Sequence, residues 1–97
     1  MEKSSYVYIL ASAPYGTLYV GSTTDLVKRV WQHREGVFEG FTKQCGVHML
    51  VWYETHTDIM EAGLREKRIK KWDRAWKIRL IEEMNLRWRD LYTDFTA

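Results

Sequence analysis

Two short stretches near the start of the chain have the residue pattern of β-strands. Residues 6–10 (YVYIL) and 17–21 (TLYVG) are rich in β-branched and aromatic residues, and a turn-forming ASAPYG segment separates them. This pattern predicts an antiparallel hairpin. A symmetric loop would place Tyr8 opposite Tyr19 on one face of the hairpin, although cross-strand packing alone explains such a pair equally well.

The apolar spacing becomes helical after the second of these stretches. Thr23, Thr24 and Asp25 supply N-cap side chains for a helix over about residues 25–35. Arg29 and His33 lie one turn apart at a margin of its apolar arc, where an arginine either covers the core with its aliphatic stem or serves a site. The helical wheel predicts a core-facing arc of Leu26, Val27, Val30 and Trp31.

The second half of the chain predicts one more strand followed by two helices. Residues 49–54 (MLVWYE) have strand character, Asp58 opens a helix that runs to about Lys71, and Asp73 caps a further helix that Asn85 ends. Together the elements predict an α+β fold, a three-stranded antiparallel sheet flanked by helices. The apolar stripe of the last helix is predicted to be core, and it comprises Trp72, Trp76, Leu80, Ile81 and Met84.

One carboxylate lies where an apolar residue would be expected. Glu66 falls within the helical arc that Ile59, Ala62 and Ile69 define. An inward carboxylate costs several kcal/mol unless a cation or hydrogen-bond donors compensate it. Two kinds of partner remain open: a structural ion pair with Arg29 or Lys70, or a hard divalent cation bound through the carboxylate, waters and a phosphate.

Composition limits the class of protein. A chain of 97 residues with 45% apolar content is expected to form one domain over residues 1–97. No stretch has the ~18 uncharged apolar residues of a membrane span, and the first residues show no signal-peptide pattern, so a cytoplasmic location and no membrane partner are expected. Cys45 is the only cysteine, which excludes an internal disulfide and a cysteine-rich zinc site.

The charge is unevenly distributed. The formal net charge is only +2, but residues 65–89 contain ten Lys and Arg residues against four acidic ones. Such a block suggests a polyanionic partner, although helices with solvated basic faces are also common.

Five positions and their spacing resemble the GIY-YIG nuclease family, in particular its small single-domain members. The YVYIL stretch with Tyr8 is similar to the first family motif, and the YVG triplet with Tyr19 to the second; Arg29 follows ten residues later and His33 one turn after that. The EAGLREKRIKKW segment places Glu66 at the family's metal-binding glutamate. The similarity extends over roughly residues 5–92 and includes the GFTK and NLRWRDLY segments. The chain departs from the family pattern at Tyr6, which replaces the first glycine, and at Cys45, Gly46 and Leu86.

The resemblance implies a metal-dependent endonuclease that hydrolyses phosphodiester bonds of nucleic acid, with DNA expected and little sequence specificity. Glu66 would hold Mg²⁺ or Mn²⁺ together with waters and a phosphate oxygen. Tyr19 would orient or deprotonate the attacking water, Arg29 would bind phosphate, Tyr8 would hydrogen-bond to the phosphate or the water, and His33 would accept a proton or orient a donor. The basic residues expected to follow the nucleic-acid backbone without reading bases are Lys67, Arg68, Lys70 and Lys71.

Two other functions fit parts of the sequence. A nucleic-acid-binding module with weak or no catalysis could use the same scaffold beside a repair or recombination protein partner. A structural domain that binds another protein would need only an ion pair between Glu66 and Arg29. A pure binding module has no use for an inward carboxylate next to phosphate, which favours the nuclease.

Overall fold

The computed structural model describes residues 4–37 and 46–96; Cys45 and the GFTK segment lie outside them. The strands are β1 (Ser5–Ala11), β2 (Leu18–Thr23) and β3 (Met49–His56). They form one antiparallel sheet in the order β2-β1-β3, which makes β2 an edge strand. The predicted α+β class with a three-stranded antiparallel sheet is confirmed.

In the part of the chain that the structure describes, four helices accompany the sheet: α1 (Leu26–Arg34), α2 (Ile59–Lys71), α3 (Arg74–Met84) and the short α4 (Thr93–Thr96). The predicted caps are confirmed, since each of the first three helices begins after an aspartate whose carboxylate accepts a first-turn backbone N–H. Within the described ranges, no helix combines the length and apolar character needed to cross a membrane. The capping aspartates are Asp25, Asp58 and Asp73.

The hairpin register differs from the predicted one by two residues. Tyr8 lies opposite Gly21, and Tyr19 lies opposite Leu10. The first strand includes Ala11 and the second begins at Leu18, one residue later than predicted, so the centre of the turn moves along the chain. Because side chains alternate with a period of two, Tyr8 and Tyr19 still share a face.

The two faces of the sheet carry separate cores. Val7, Ile9 and Val20 pack on the face covered by α2 and α3, where they join Ala62, Ile69 and Ile81. The opposite face packs under α1, and its buried residues are Tyr8, Leu10, Leu26, Val30, Val47, Leu50 and Leu91. The sheet is therefore the middle layer between α1 and the α2–α3 pair.

The predicted buried arc of α1 is wrong by about 60° of rotation. Leu26, Val30 and His33 are buried, whereas Val27 is 39% exposed and Trp31 is 47% exposed. The imidazole of His33 can be buried because it forms a hydrogen bond there with Tyr8, described below. The helix thus turns its Arg29–His33 margin toward the sheet.

The predicted core stripe of α3 is wrong for two of its five members. Ile81 is buried, and Trp72 and Leu80 are partly buried against the core, but Trp76 is 57% exposed and Met84 is 45% exposed. The reason is that α3 places Ile78 and Ile81 against the core. The side of α3 that carries Trp76 is therefore exposed to solvent.

Candidate active site at the edge of the sheet

Three rings converge on the α1 face of the sheet, near its β2 edge. The ring centroids of Tyr8 and Tyr19 are 6.3 Å apart, those of Tyr8 and His33 are 6.1 Å apart, and those of Tyr19 and His33 are 5.3 Å apart. The phenol oxygen of Tyr8 lies 3.3 Å from Nε2 of His33. The alternation of side chains along β1 and β2 places both phenols on this face of the sheet. His33 reaches them from α1, which packs on the same face.

A missing side chain makes room for Tyr8. A Cβ built on Gly21 would lie 2.5 Å from the phenol oxygen of Tyr8 and 2.6 Å from its Cζ. Contacts this short do not occur in real structures, so any larger residue at position 21 would displace the ring. Position 21 of the YVG triplet therefore has no room for a side chain, because the ring of its strand partner Tyr8 lies over it.

Arg29 belongs to the same cluster. Its guanidinium hydrogen-bonds to the Tyr8 phenol and its charge acts on both Tyr8 and His33. A guanidinium is always charged at physiological pH and presents a planar fork of donors, which matches the oxygens of a phosphate. The structure thus places a cation with anion-binding geometry beside the two buried rings.

Burial sets the protonation states of Tyr8 and His33. Burial, together with the smaller effect of the nearby Arg29 charge, lowers the pKa of His33 from 6.5 to about 4. Burial also raises the pKa of the Tyr8 phenol well above its usual 10, an effect that Tyr19 reinforces and Arg29 opposes. At neutral pH the imidazole is therefore uncharged and able to accept a proton, and the Tyr8 phenol is a hydrogen-bond donor.

The predicted carboxylate lies across the edge strand from these rings. Ser22 alternates with Tyr19 and Gly21 along β2 and faces α2, where its hydroxyl donates to Oε1 of Glu66 over 2.5 Å. Lys70, one turn later on α2, forms an ion pair with Oε2 of Glu66, also at 2.5 Å. Of the ion-pair partners left open by the sequence, the structure gives Lys70, and both carboxylate oxygens are engaged.

Lys70 links the two sides of the edge. Its Nζ lies 6.0 Å from the centroid of the Tyr19 ring while it pairs with Glu66. The negative charge of Glu66 also contributes to the raised pKa of Tyr8, so the carboxylate is within electrostatic reach of the rings. All five predicted catalytic positions therefore surround the same short segment of β2.

The other predicted site residues are placed differently. Lys67, Arg68 and Lys71 are exposed on the outer face of α2, whereas Lys70 lies beside Glu66. Ser22 is a site residue that the sequence patterns do not single out. Its one signal is a place among the hydroxyls that follow Gly21, and helix capping explains hydroxyls there equally well.

The donor set of the site suits a hard divalent cation. Among residues 4–37 and 46–96, no three histidine, cysteine or acidic side chains group together as a metal cage. The site instead offers one half-buried carboxylate, Glu66, next to the hydroxyl of Ser22. Mg²⁺ and similar ions are commonly held by one or two carboxylates, with waters and substrate phosphate filling the remaining positions, so the residues present fit such an ion.

Known proteins resemble this chain in sequence and in fold. The GIY-YIG catalytic domain matches residues 4–79. A UPF0213 protein of Bacillus pumilus is 34% identical over 89% of this chain and 88% of its own length, and one of Clostridium perfringens is 36% identical over 86% and 88%. The solution NMR structure of a UPF0213 protein of Bacillus halodurans has a TM-score of 0.55 and 29% identity, and the match covers 90% of this chain and 92% of that one.

Proposed function

Because the chain belongs to the GIY-YIG family, as the match over residues 4–79 shows, we propose that it is a metal-dependent endonuclease. It would hydrolyse phosphodiester bonds of nucleic acid, with DNA as the expected substrate and little sequence specificity. The single observation that carries the proposal is the convergence around β2 of two phenols, an imidazole, a guanidinium and one carboxylate.

Each side chain of the cluster has a role in this reaction. Water attacks phosphorus, the ester bond to the leaving oxygen breaks, that oxygen takes up a proton from solvent, and negative charge grows on the phosphoryl oxygens in the transition state. Arg29 would bind those oxygens with its donor fork and stabilise them most strongly in the transition state. Tyr8, which stays protonated, would donate a hydrogen bond to the same phosphate or to the attacking water.

The proton of the attacking water needs an acceptor. Tyr19 is the proposed residue to orient or deprotonate that water, with the neutral imidazole of His33 beside it at 5.3 Å between ring centroids. A pKa of about 4 makes His33 a weak base, which suits brief acceptance of a proton that then leaves for solvent. Glu66, with its oxygens directed by Ser22, would hold Mg²⁺ or Mn²⁺, which when bound supplies Lewis-acid neutralisation of phosphoryl charge.

The outer face of α2 accounts for substrate binding. Lys67, Arg68 and Lys71 are exposed there, on the helix that also carries Glu66. Lysine and arginine side chains that contact phosphates give binding that weakens steeply with salt and carries no base information. The proposal therefore includes low sequence specificity and a strong salt dependence.

A second candidate is a nucleic-acid-binding module with little turnover that works beside a repair or recombination protein. The ion pair between Lys70 and Glu66 favours it, because an engaged carboxylate is less available to a metal ion. The two candidates differ in one measurable property, the cleavage of a phosphodiester bond.

The test is nicking of supercoiled plasmid, branched DNA and single strands in Mg²⁺, Mn²⁺ or EDTA. The wild type should nick with either ion and not in EDTA, and Glu66→Gln should lower the rate by at least about 100-fold. The amide keeps the shape of the side chain and can still accept from Ser22, so unfolding by urea should be almost unchanged. Glu61→Gln, on an exposed position of the same helix, is the matched control and should nick normally.

The outcomes separate the candidates. Undiminished cleavage by Glu66→Gln would refute the assigned role of the carboxylate. Salt-sensitive DNA binding by the wild type with no cleavage of any substrate in either ion would support the binding module instead.

A further inference from the structure

An open groove lies between α2 and α3, on the side of α2 away from Glu66. It has a volume of about 310 Å³, at the lower end of the size range of small-molecule sites. Its lining, called the tryptophan groove below, consists of Arg65, Trp72, Trp76, Arg79, Leu80 and Glu83. None of these residues contributes to the proposed catalytic cluster.

The two tryptophans leave an aromatic surface open. Their ring centroids are 5.7 Å apart and the planes meet at 67°, an edge-to-face arrangement. Such a pair covers at most one face of either ring, and Trp76 is 57% exposed, whereas Trp52 and Trp88 are buried. An exposed aromatic ring beside a concave surface is available to stack with a flat ligand.

The groove carries charges of both signs around its apolar surface, so it can contact both the phosphate and the polar edge of a nucleotide. The guanidinium of Arg65 lies 5.3 Å from the Trp72 ring centroid and is held in place by Glu54, with Nε 3.0 Å from Oε1. Arg79 lines the opening and is exposed. Glu83 is the acidic member of the lining, and a carboxylate can accept hydrogen bonds from the amino groups of a base.

The outer face of α2 connects the groove with the active site. Successive helical residues are about 100° apart, so Glu66 and Lys70 lie on the flank of α2 next to β2, and Arg65 lies on the flank next to β3. These are called the β2 flank and the β3 flank. The solvent face between them carries Lys67, Arg68 and Lys71. A strand that leaves the active site over this face would follow cations to the groove.

We infer that the tryptophan groove binds an unpaired nucleobase of the substrate by stacking on Trp76. The inference rests on the proposed function and sharpens its substrate class: nucleic acid with a single-stranded segment close to the scissile phosphate. Base stacking on aromatic side chains tolerates any sequence, since every base has a π-face. A duplex keeps its bases stacked on each other and cannot fill the groove.

The test measures binding in EDTA, where cleavage is not needed. The probes are a short fluorescein-labelled oligothymidylate, the same oligonucleotide with abasic sites in place of its central bases, and a duplex of equal length, followed by fluorescence anisotropy. Trp76→Ala should weaken oligothymidylate binding about fivefold or more, as expected for loss of one base stack, and should change binding of the other two probes by less than twofold. Trp76→Phe should restore most of the loss.

Trp31→Ala is the matched control, because Trp31 is also exposed, at 47%, but lies on α1. It should bind all three probes like the wild type. The inference is overturned if the wild type binds the base-containing and abasic strands equally, if Trp76→Ala weakens all probes alike, or if Trp76→Ala changes only self-association, measured by sedimentation.

The binding results, obtained in EDTA, can be judged separately from the cleavage results. If the protein cleaves nothing but Trp76→Ala weakens base-dependent binding, the groove inference stands and the nuclease proposal is wrong. If the protein cleaves nucleic acid but Trp76→Ala binds every probe like the wild type, the nuclease proposal stands and the groove inference is wrong.

Discussion

The two flanks of α2 each place a cation and a carboxylate beside an aromatic ring, but they assemble them differently. On the β2 flank the carboxylate belongs to the helix and pairs with a lysine whose side chain is 48% exposed, near Tyr19. On the β3 flank the cation belongs to the helix, and Arg65 forms two hydrogen bonds with Glu54 of the sheet, near Trp72.

The difference separates an exchangeable pair from a fixed one. A lysine one turn away contributes only about 0.3–0.5 kcal/mol to such a pair and can rotate off, which releases an oxygen of Glu66 to a ligand. A guanidinium fork that meets both oxygens of a strand carboxylate is held in one orientation. The β2 flank is thus suited to chemistry, and the β3 flank to holding a binding surface in shape.

The largest effect expected from a test of this comparison is at Arg29. Arg29→Lys keeps the charge beside Tyr8 but loses the planar fork, and the nicking rate should fall about 100-fold or more. Arg34→Lys, on the same helix and paired with Asp90, should nick within about threefold of the wild type while losing a little stability. Equal losses in the two variants would show that α1 packing, and not phosphate binding, accounts for the effect.

The next effect is a pH dependence of stability at His33. Its pKa is about 4 in the folded protein and 6.5 when unfolded, so between these values only the unfolded chain takes up the proton. The free energy of unfolding should therefore fall as the pH drops from 6.5 to about 4, by up to about 3 kcal/mol in all. Tyr8, Tyr19 and Arg29 are the titratable and charged neighbours that face the imidazole.

Urea unfolding across this pH range in EDTA measures the effect. His33→Gln should remove most of the slope between pH 6.5 and about 4. A variant with the full wild-type slope would mean that the acid sensitivity comes from other groups, and that the imidazole is not held neutral by the site.

The smallest expected effect concerns the exchangeable pair. Lys70→Met keeps the length and apolar packing of the side chain but removes the charge that competes for Glu66. Mn²⁺ affinity, measured by water-proton relaxation, should rise several-fold, because one positive charge is removed from the immediate surroundings of the carboxylate. Unfolding free energy should change by less than about 0.5 kcal/mol. Weaker Mn²⁺ binding would show that the lysine supports the site and does not compete with the ion.

Much of the fold follows from local signals in the sequence. The three aspartate caps, the end of α3 at Asn85 and all three strands were predictable, because capping and strand propensity act over a few residues. The hairpin register was not, since a shift of the loop by one residue along the chain decides it and the ASAPYG segment permits more than one turn.

The sequence predicts which residues come together at the site better than it predicts how they are oriented there. Spacing brought Arg29 and His33 together, but it placed them at a margin of α1, whereas the structure buries His33 and exposes Trp31. A helical wheel assigns faces by hydrophobicity. It does not include the hydrogen bond from the Tyr8 phenol that allows the His33 imidazole to be buried. For the same reason, the stripe with Trp76 was assigned to the core, since apolar spacing alone does not distinguish a core from a groove.

The space left by Gly21 makes the residues allowed at two positions of the hairpin depend on each other. A methyl group at position 21 would collide with the Tyr8 phenol, so the cost of losing the glycine depends on which residue occupies position 8. A chain without the phenol at position 8 would be released from this constraint and could accept alanine or serine at position 21. The residues tolerated at positions 8 and 21 are thus linked by the volume of one phenol ring.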